Sequence, residues 1–166
     1  MANAQSCQSL TGIGVSMPPK SDPQRDNVYW LEAEINGAWQ VDSASRGSLL
    51  FVLGKLSRYY RVSVPTLRIG NKKGRNADAG NYDSHTETIW LNRGEGGANV
   101  HVLIHEFAHH VIECYYEDVE DHGKEFVGVY MHLLDKYSIL PSQCFRLLAK
   151  KYKLKIGRKY RPKAFR

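Results

Sequence analysis

The segment from Ala98 to Glu117 constrains this chain more than any other. Val100, Leu103, Ile104, Phe107, Ala108, Val111, Ile112 and Tyr115 recur at helical spacing and give it a broad apolar side. A helix of that kind is buried against a core. Yet it carries His105, Glu106 and His109, polar groups that are costly to bury without a partner. The fold must supply that partner, and the spacing indicates which.

His105-Glu106-Phe107-Ala108-His109 fits H-E-x-x-H. Residues four apart on a helix share one face. Two imidazoles at that spacing can converge on one ion at ~2.0–2.1 Å each. Glu106 points ~100° round the helix, beside such an ion rather than onto it. There its carboxylate can take a proton from water held by the metal, whose pKa zinc lowers from ~15.7 towards ~7. The pattern predicts a zinc centre (Zn2+) with His105 and His109 as ligands and Glu106 as general base. His101 lies on the same stripe, but it stands ~12 Å from His109 along the axis, so the two cannot share an ion bound by His105. A His101/His105 pair is the alternative, without an acid directly after its first histidine. His110 is expected to pack or to face solvent.

A catalytic zinc keeps three protein ligands and one open position. His122 is the expected third ligand, because it opens the next helical stretch and precedes Gly123, which permits a close chain approach. Glu125, one turn on, is the alternative ligand. Asp121 is a candidate ligand, or a candidate acceptor for the free nitrogen of a ligating histidine.

The 166 residues suffice for one domain, and a hydrophobic fraction of 42% allows a real core. Residues 1–27 are rich in Ser, Pro, Gln, Asn and Gly and read as a flexible arm. Residues 28–149 form the domain, and 150–166 a basic tail. A helix is expected within Asp42–Val62, capped by Ser43 or Ser45. Strands are expected at Thr66–Ile69, near Asn81–Asp83 and at Thr86–Asn92. Helices follow over 98–117, over 123–138 and after Pro141. The segregation of strands and helices predicts an α+β fold. The loop NRGEGGAN has glycines but no Gly-Lys-Ser/Thr, which argues against a phosphate-binding loop.

HEFAHH followed by DHGKEF resembles zincin metallopeptidases of the SprT-like group, which includes the Spartan proteases. Their pattern is HExxH, then a downstream His-Gly with an aromatic residue three positions after the Gly. The matching positions here are His105, Glu106, His109, His122, Gly123 and Phe126, and the resemblance covers roughly residues 45–140. It implies a zincin-like fold in which a small, mostly antiparallel sheet packs on the HExxH helix and further helices. It also implies three histidine zinc ligands, Glu106 as base, and proteins as substrates, in some members proteins crosslinked to DNA. Many relatives add a four-cysteine zinc ribbon, which this chain cannot form.

The expected reaction is hydrolysis of a peptide bond in a protein or peptide substrate. Tyr82, His85 and Tyr130 are candidates for steadying the oxyanion. An extended substrate is expected to pair with an edge strand near Thr86–Leu91, with Trp90 flanking the cleft. The alternatives are a metal hydrolase of a non-peptide bond and a nucleic-acid-binding module with a structural zinc.

Charge is uneven. Residues 150–166 hold nine Lys or Arg and no acid, leaving 14 basic and 17 acidic side chains in residues 1–149. Lys150, Lys151, Lys153, Lys155, Arg158, Lys159 and Arg161, interleaved with Tyr152, Tyr160 and Phe165, are candidates for contacting DNA or RNA. Arg68, Lys72, Lys73 and Arg75 form a second basic cluster. The three cysteines, Cys7, Cys114 and Cys144, form no CxxC pair and are expected as free thiols. No stretch approaches the ~18 apolar residues of a membrane span. The first residues lack the marks of a secretory signal, so a cytoplasmic, intracellular location and no membrane partner are expected.

Overall fold

The structure, a computed structural model, describes residues 22–38, 42–71 and 78–157. In chain order these form α1 (Arg25–Ala38), α2 (Arg46–Tyr60), β1 (Thr66–Gly70), β2 (Gly80–Asp83) and β3 (Thr88–Asn92). A short 3-10 turn at Arg93–Glu95 follows, then α3 (Val100–Tyr115), α4 (Lys124–Lys136) and α5 (Ser142–Lys151). The fold is α+β, as the segregation of elements predicts.

α1 is an addition to the expected elements, and it starts inside the stretch read as an arm. Val28, Leu31 and Ile35 recur at three- and four-residue spacing and are buried in the core. Residues 1–21 of that stretch lie outside the described residues. In α2 the same logic buries Leu49, Leu53, Leu56 and Tyr60. Ser45, one of the two expected caps, accepts from the amide of Ser48 at 3.1 Å. Arg61 ends the helix in the left-handed region, with φ at 56°.

The sheet has the order β1-β3-β2. β1 runs parallel to β3 with Leu67 opposite Ile89, and β2 runs antiparallel to β3 with Tyr82 opposite Ile89. It is therefore mixed, not mostly antiparallel. The connection after β1 carries the chain across to the far edge, so β2 returns one way and β3 enters the centre alongside β1. The β2–β3 turn is fixed by Asp83, which accepts from the amide of His85 at 3.0 Å and from the Thr86 hydroxyl at 2.8 Å. β3 is paired on both sides, which corrects its expected role as the substrate-binding edge. The open edge against α3 is β2.

α3 passes through the core, with Leu103, Ile104, Phe107, Ala108 and Val111 fully buried between α2, α4 and the sheet. After α5 the chain folds back over α1 and the start of α4. Leu154 is buried, the amide of Lys155 donates to Gln24 Oε1 at 2.5 Å, and that of Gly157 to the Lys124 carbonyl at 2.6 Å. Residues 150–157 are thus docked on the body. Cys144 is a free, exposed thiol, but Cys114 is disulfide-bonded, against the expectation of free thiols. No described helix is long and apolar enough to cross a membrane.

Candidate metal centre

Asn99 caps α3 by accepting from the Val102 amide at 2.9 Å, which fixes where the helix begins. From that start His105 and His109 fall on one face. The link from α3 to α4 then turns tightly, the Gly123 amide donating to the Glu120 carbonyl at 3.0 Å. A Cβ at Gly123 would sit 3.1 Å from that same oxygen, so the turn favours glycine. The turn delivers His122 over the two helix histidines.

One nitrogen from each of His105, His109 and His122 lies within 4.8 Å of the others, and the group could hold a metal ion. The Nε2 atoms of His109 and His122 stand 3.2 and 3.3 Å from Nε2 of His105. Tetrahedral ligands at ~2.0–2.1 Å from an ion must be ~3.3–3.4 Å apart, so the spacing fits. The opposite nitrogens make the case stronger. Nδ1 of His105 is 2.5 Å from Glu32 Oε1, and Nδ1 of His122 is 2.8 Å from Asp22 Oδ2. A carboxylate only accepts, so each Nδ1 carries the hydrogen and each Nε2 turns a lone pair inward. Converging lone pairs need a cation between them. Burial opposes a charge on His105, but the neighbouring Glu32 carboxylate outweighs it and lifts the pKa to about 9. Burial and the charge of His105 then push His109 and His122 down.

The carboxylates behind the ligands come from a part of the chain the motif does not touch. Asp22, Arg25, Tyr29, Glu32 and Asn36 follow one another at three- and four-residue steps. They form a polar stripe beside the Val28-Leu31-Ile35 face of α1. Asp22 meets His122, Glu32 meets His105, and Asn36 Oδ1 lies 2.7 Å from Nδ1 of His101. Asp22 also accepts from the His122 amide at 3.2 Å, and Gln24 donates to the His122 carbonyl at 3.1 Å. The Tyr29 ring lies 6.0 Å from that of His105, nearly parallel, and 5.5 Å from that of His122. No sequence motif marks this stripe. Its periodicity was the available signal, because neither acid belongs to a local motif.

Glu106, next to His105, is only 6% exposed. Burial pushes its carboxyl up to about 7, against the opposing effect of His105. A Cβ on Gly80 would lie 2.6 Å from Glu106 Oε1, so β2 runs hard against the carboxylate at its one side-chain-free position. Phe126 closes the other side, its ring 5.1, 4.5 and 4.8 Å from those of His105, His109 and His122.

The other candidates fall elsewhere. Glu125 is half-buried, 3.7 Å from Lys124 Nζ, and outside the three-histidine group. Asp121 is exposed, and the acceptor behind His122 is Asp22 in its place. His101 stacks on Tyr130 and is bonded to its hydroxyl. His110 is fully buried, with Nε2 3.1 Å from the Ser63 carbonyl and Nδ1 2.9 Å from the Tyr82 hydroxyl. A carbonyl only accepts, so Nε2 carries the hydrogen and Tyr82 donates to Nδ1. Of the oxyanion candidates, Tyr82 and Tyr130 have their hydroxyls engaged in these bonds, and His85 is exposed in the β2–β3 turn. In the tail, Lys150, Lys153 and Lys155 are exposed, and Lys151 pairs with Glu34 at 2.6 Å. Arg158, Lys159 and Arg161 lie outside the described residues, as do Lys72, Lys73 and Arg75. Arg68 lies over the half-buried Trp90 ring, 5.5 Å from its centroid.

Comparison with family profiles, with curated proteins and with solved structures found no match to this chain.

Proposed function

We propose that this chain is a zinc-dependent metallohydrolase, specifically a peptidase of the SprT-like zincin type. The observation that carries the proposal is the convergence of three imidazole nitrogens, those of His109 and His122 each at tetrahedral spacing from that of His105, with Glu106 on the same helix. An all-imidazole donor set suits zinc. Among the described residues no fourth side chain joins the group, which favours an open catalytic site over a structural one. Zinc bound there supplies a Lewis acid that polarises a carbonyl and makes water more acidic.

The side chains divide the remaining work. Glu106 accepts a proton from water as the water oxygen bonds to the carbonyl carbon. It then returns that proton to the departing nitrogen as the carbon–nitrogen bond breaks, so each turnover consumes one water and leaves the carboxylate as it began. Glu32 and Asp22 hold the His105 and His122 rings in the tautomer that faces inward. The open edge of β2 beside Glu106 offers backbone groups to an extended chain, which favours a polypeptide over a compact substrate.

Glu106→Gln tests the assignment. The variant is expected to keep about one zinc per chain. It is expected to cleave unfolded casein about 100-fold to 10,000-fold more slowly than wild type. Loss of zinc with the substitution, or undiminished cleavage, overturns the role given to Glu106.

A further inference from the structure

One side chain at the mouth of the centre has no part in the reaction so far. Arg25, Tyr29 and Glu32 share one face of α1, and that face runs from solvent into the site. Arg25 is exposed, Tyr29 is 42% exposed, and Glu32 lies behind His105. The Tyr29 ring stands against two of the three histidine rings, 6.0 Å from His105 and 5.5 Å from His122. It therefore flanks two of the three candidate ligands while remaining open to anything entering from solvent. The Arg25 guanidinium lies over the same ring, 5.5 Å from its centroid.

Hydrolysis at this centre needs a donor for the carbonyl oxygen as it gains charge. Glu106 cannot serve, since it acts as the base. The hydroxyls of Tyr82 and Tyr130 spend their hydrogens on His110 and His101, whereas Tyr29 accepts from the Arg25 guanidinium, which only donates, and keeps its own hydrogen. Tyr29 has the right chemistry, a neutral hydroxyl donor on a ring held at the mouth.

We infer that Tyr29 is a catalytic residue, donating a hydrogen bond from its hydroxyl to the scissile carbonyl oxygen as that oxygen becomes negative, with Arg25 as its positioning residue. No proton changes owner in this contact; the hydrogen bond shortens as charge develops and lengthens as the carbonyl re-forms. The inference rests on the metallohydrolase proposal above.

The test compares zinc-loaded wild type with Tyr29→Phe, which keeps the ring and removes only the donor. Two binding probes are used, a phosphonamidate dipeptide, which carries a tetrahedral anion, and acetohydroxamate, a planar metal chelator. Tyr29→Phe is expected to weaken the phosphonamidate about 100-fold, the low end for loss of an oxyanion donor. It is expected to leave acetohydroxamate affinity and the visible spectrum of the cobalt-substituted protein unchanged. Casein cleavage is expected to fall in kcat with KM unchanged. Equal phosphonamidate binding by the two proteins overturns the inference while leaving the hydrolase proposal standing. A changed cobalt spectrum also overturns it, because Tyr29 would then act on the metal site itself. A zinc-loaded wild type inert towards casein defeats the hydrolase proposal, and the phosphonamidate comparison still decides the role of Tyr29.

Discussion

Nδ1 of His105 and Oε1 of Glu32 lie 2.5 Å apart, although 73 residues separate them in the chain. The contact joins α3 to α1 and decides which nitrogen of His105 faces the other two histidines. Asp22 repeats the arrangement for His122 across 100 residues. The three-histidine group is thus a joint between three pieces of chain: the helix that carries the motif, the turn before α4, and the polar stripe along α1.

Glu32→Gln is expected to show this. The amide keeps the shape of the carboxylate but carries no charge and can present a donor to Nδ1, so His105 loses its fixed tautomer. Zinc affinity, measured by competition with a chromogenic chelator, is expected to fall about 10-fold to 100-fold. Circular dichroism should show the helices intact. Unchanged affinity would mean that Glu32 does not orient His105.

The different pieces were unequally legible in the sequence. The approach of His105 to His109 could be read because helix geometry alone fixes residues four apart. His122 could be read because only a short turn separates it from α3. Asp22, Tyr29 and Glu32 could not be read from a motif, since their partners are set by how α1 packs. The Val28-Leu31-Ile35 spacing and the polar stripe beside it announce a helix, but not what that helix packs against. The direction of β1 relative to β3 was equally hidden. Strand periodicity reports which side chains are buried, not which way a connection crosses the sheet.

Phe126 touches all three histidine rings and is fully buried, so its truncation tests packing rather than coordination. Phe126→Ala is expected to cost about 3–5 kcal/mol of stability through the cavity it leaves. Zinc affinity should fall with it, although no ligand has changed. Added zinc should restore part of the lost Tm, because an ion that binds only the folded state stabilises it by mass action. A variant with wild-type zinc affinity would show that the rings hold their places without Phe126.

Gly80→Ala probes the approach of β2 to the carboxylate. The new methyl would meet Glu106 Oε1 and Val102 Cγ1, each at 2.6 Å, and both partners belong to buried or half-buried α3. Something must move, at a cost of about 1–3 kcal/mol for overpacking. Zinc content is expected to stay at the wild-type level, since no histidine contact is involved. Casein cleavage is expected to fall, because the shift displaces Glu106 or the strand edge beside it. Cleavage at the wild-type rate would place the substrate away from Gly80.

The basic end of the chain divides at Gly157. Up to that residue it braces the site. Gln24 accepts from the Lys155 amide through Oε1 and donates to the His122 carbonyl through Nε2, so the returning chain is two hydrogen bonds from a candidate metal ligand. Gly157 adds a bond to Lys124, which opens α4 immediately after His122 and Gly123. Leu154 contributes a buried side chain worth about 1.5–3 kcal/mol. A chain ending at Ala149 is therefore expected to melt several degrees lower, at roughly 2–4 °C per kcal/mol, and to bind zinc more weakly. A chain ending at Gly157 keeps every one of these contacts and should match wild type in Tm and zinc affinity. It has lost Arg158, Lys159 and Arg161 all the same, so it is the form on which to measure affinity for single-stranded DNA. If those cations contact phosphates, its salt dependence will be shallower than that of the full chain. An identical slope would leave the last nine residues without a role in binding nucleic acid.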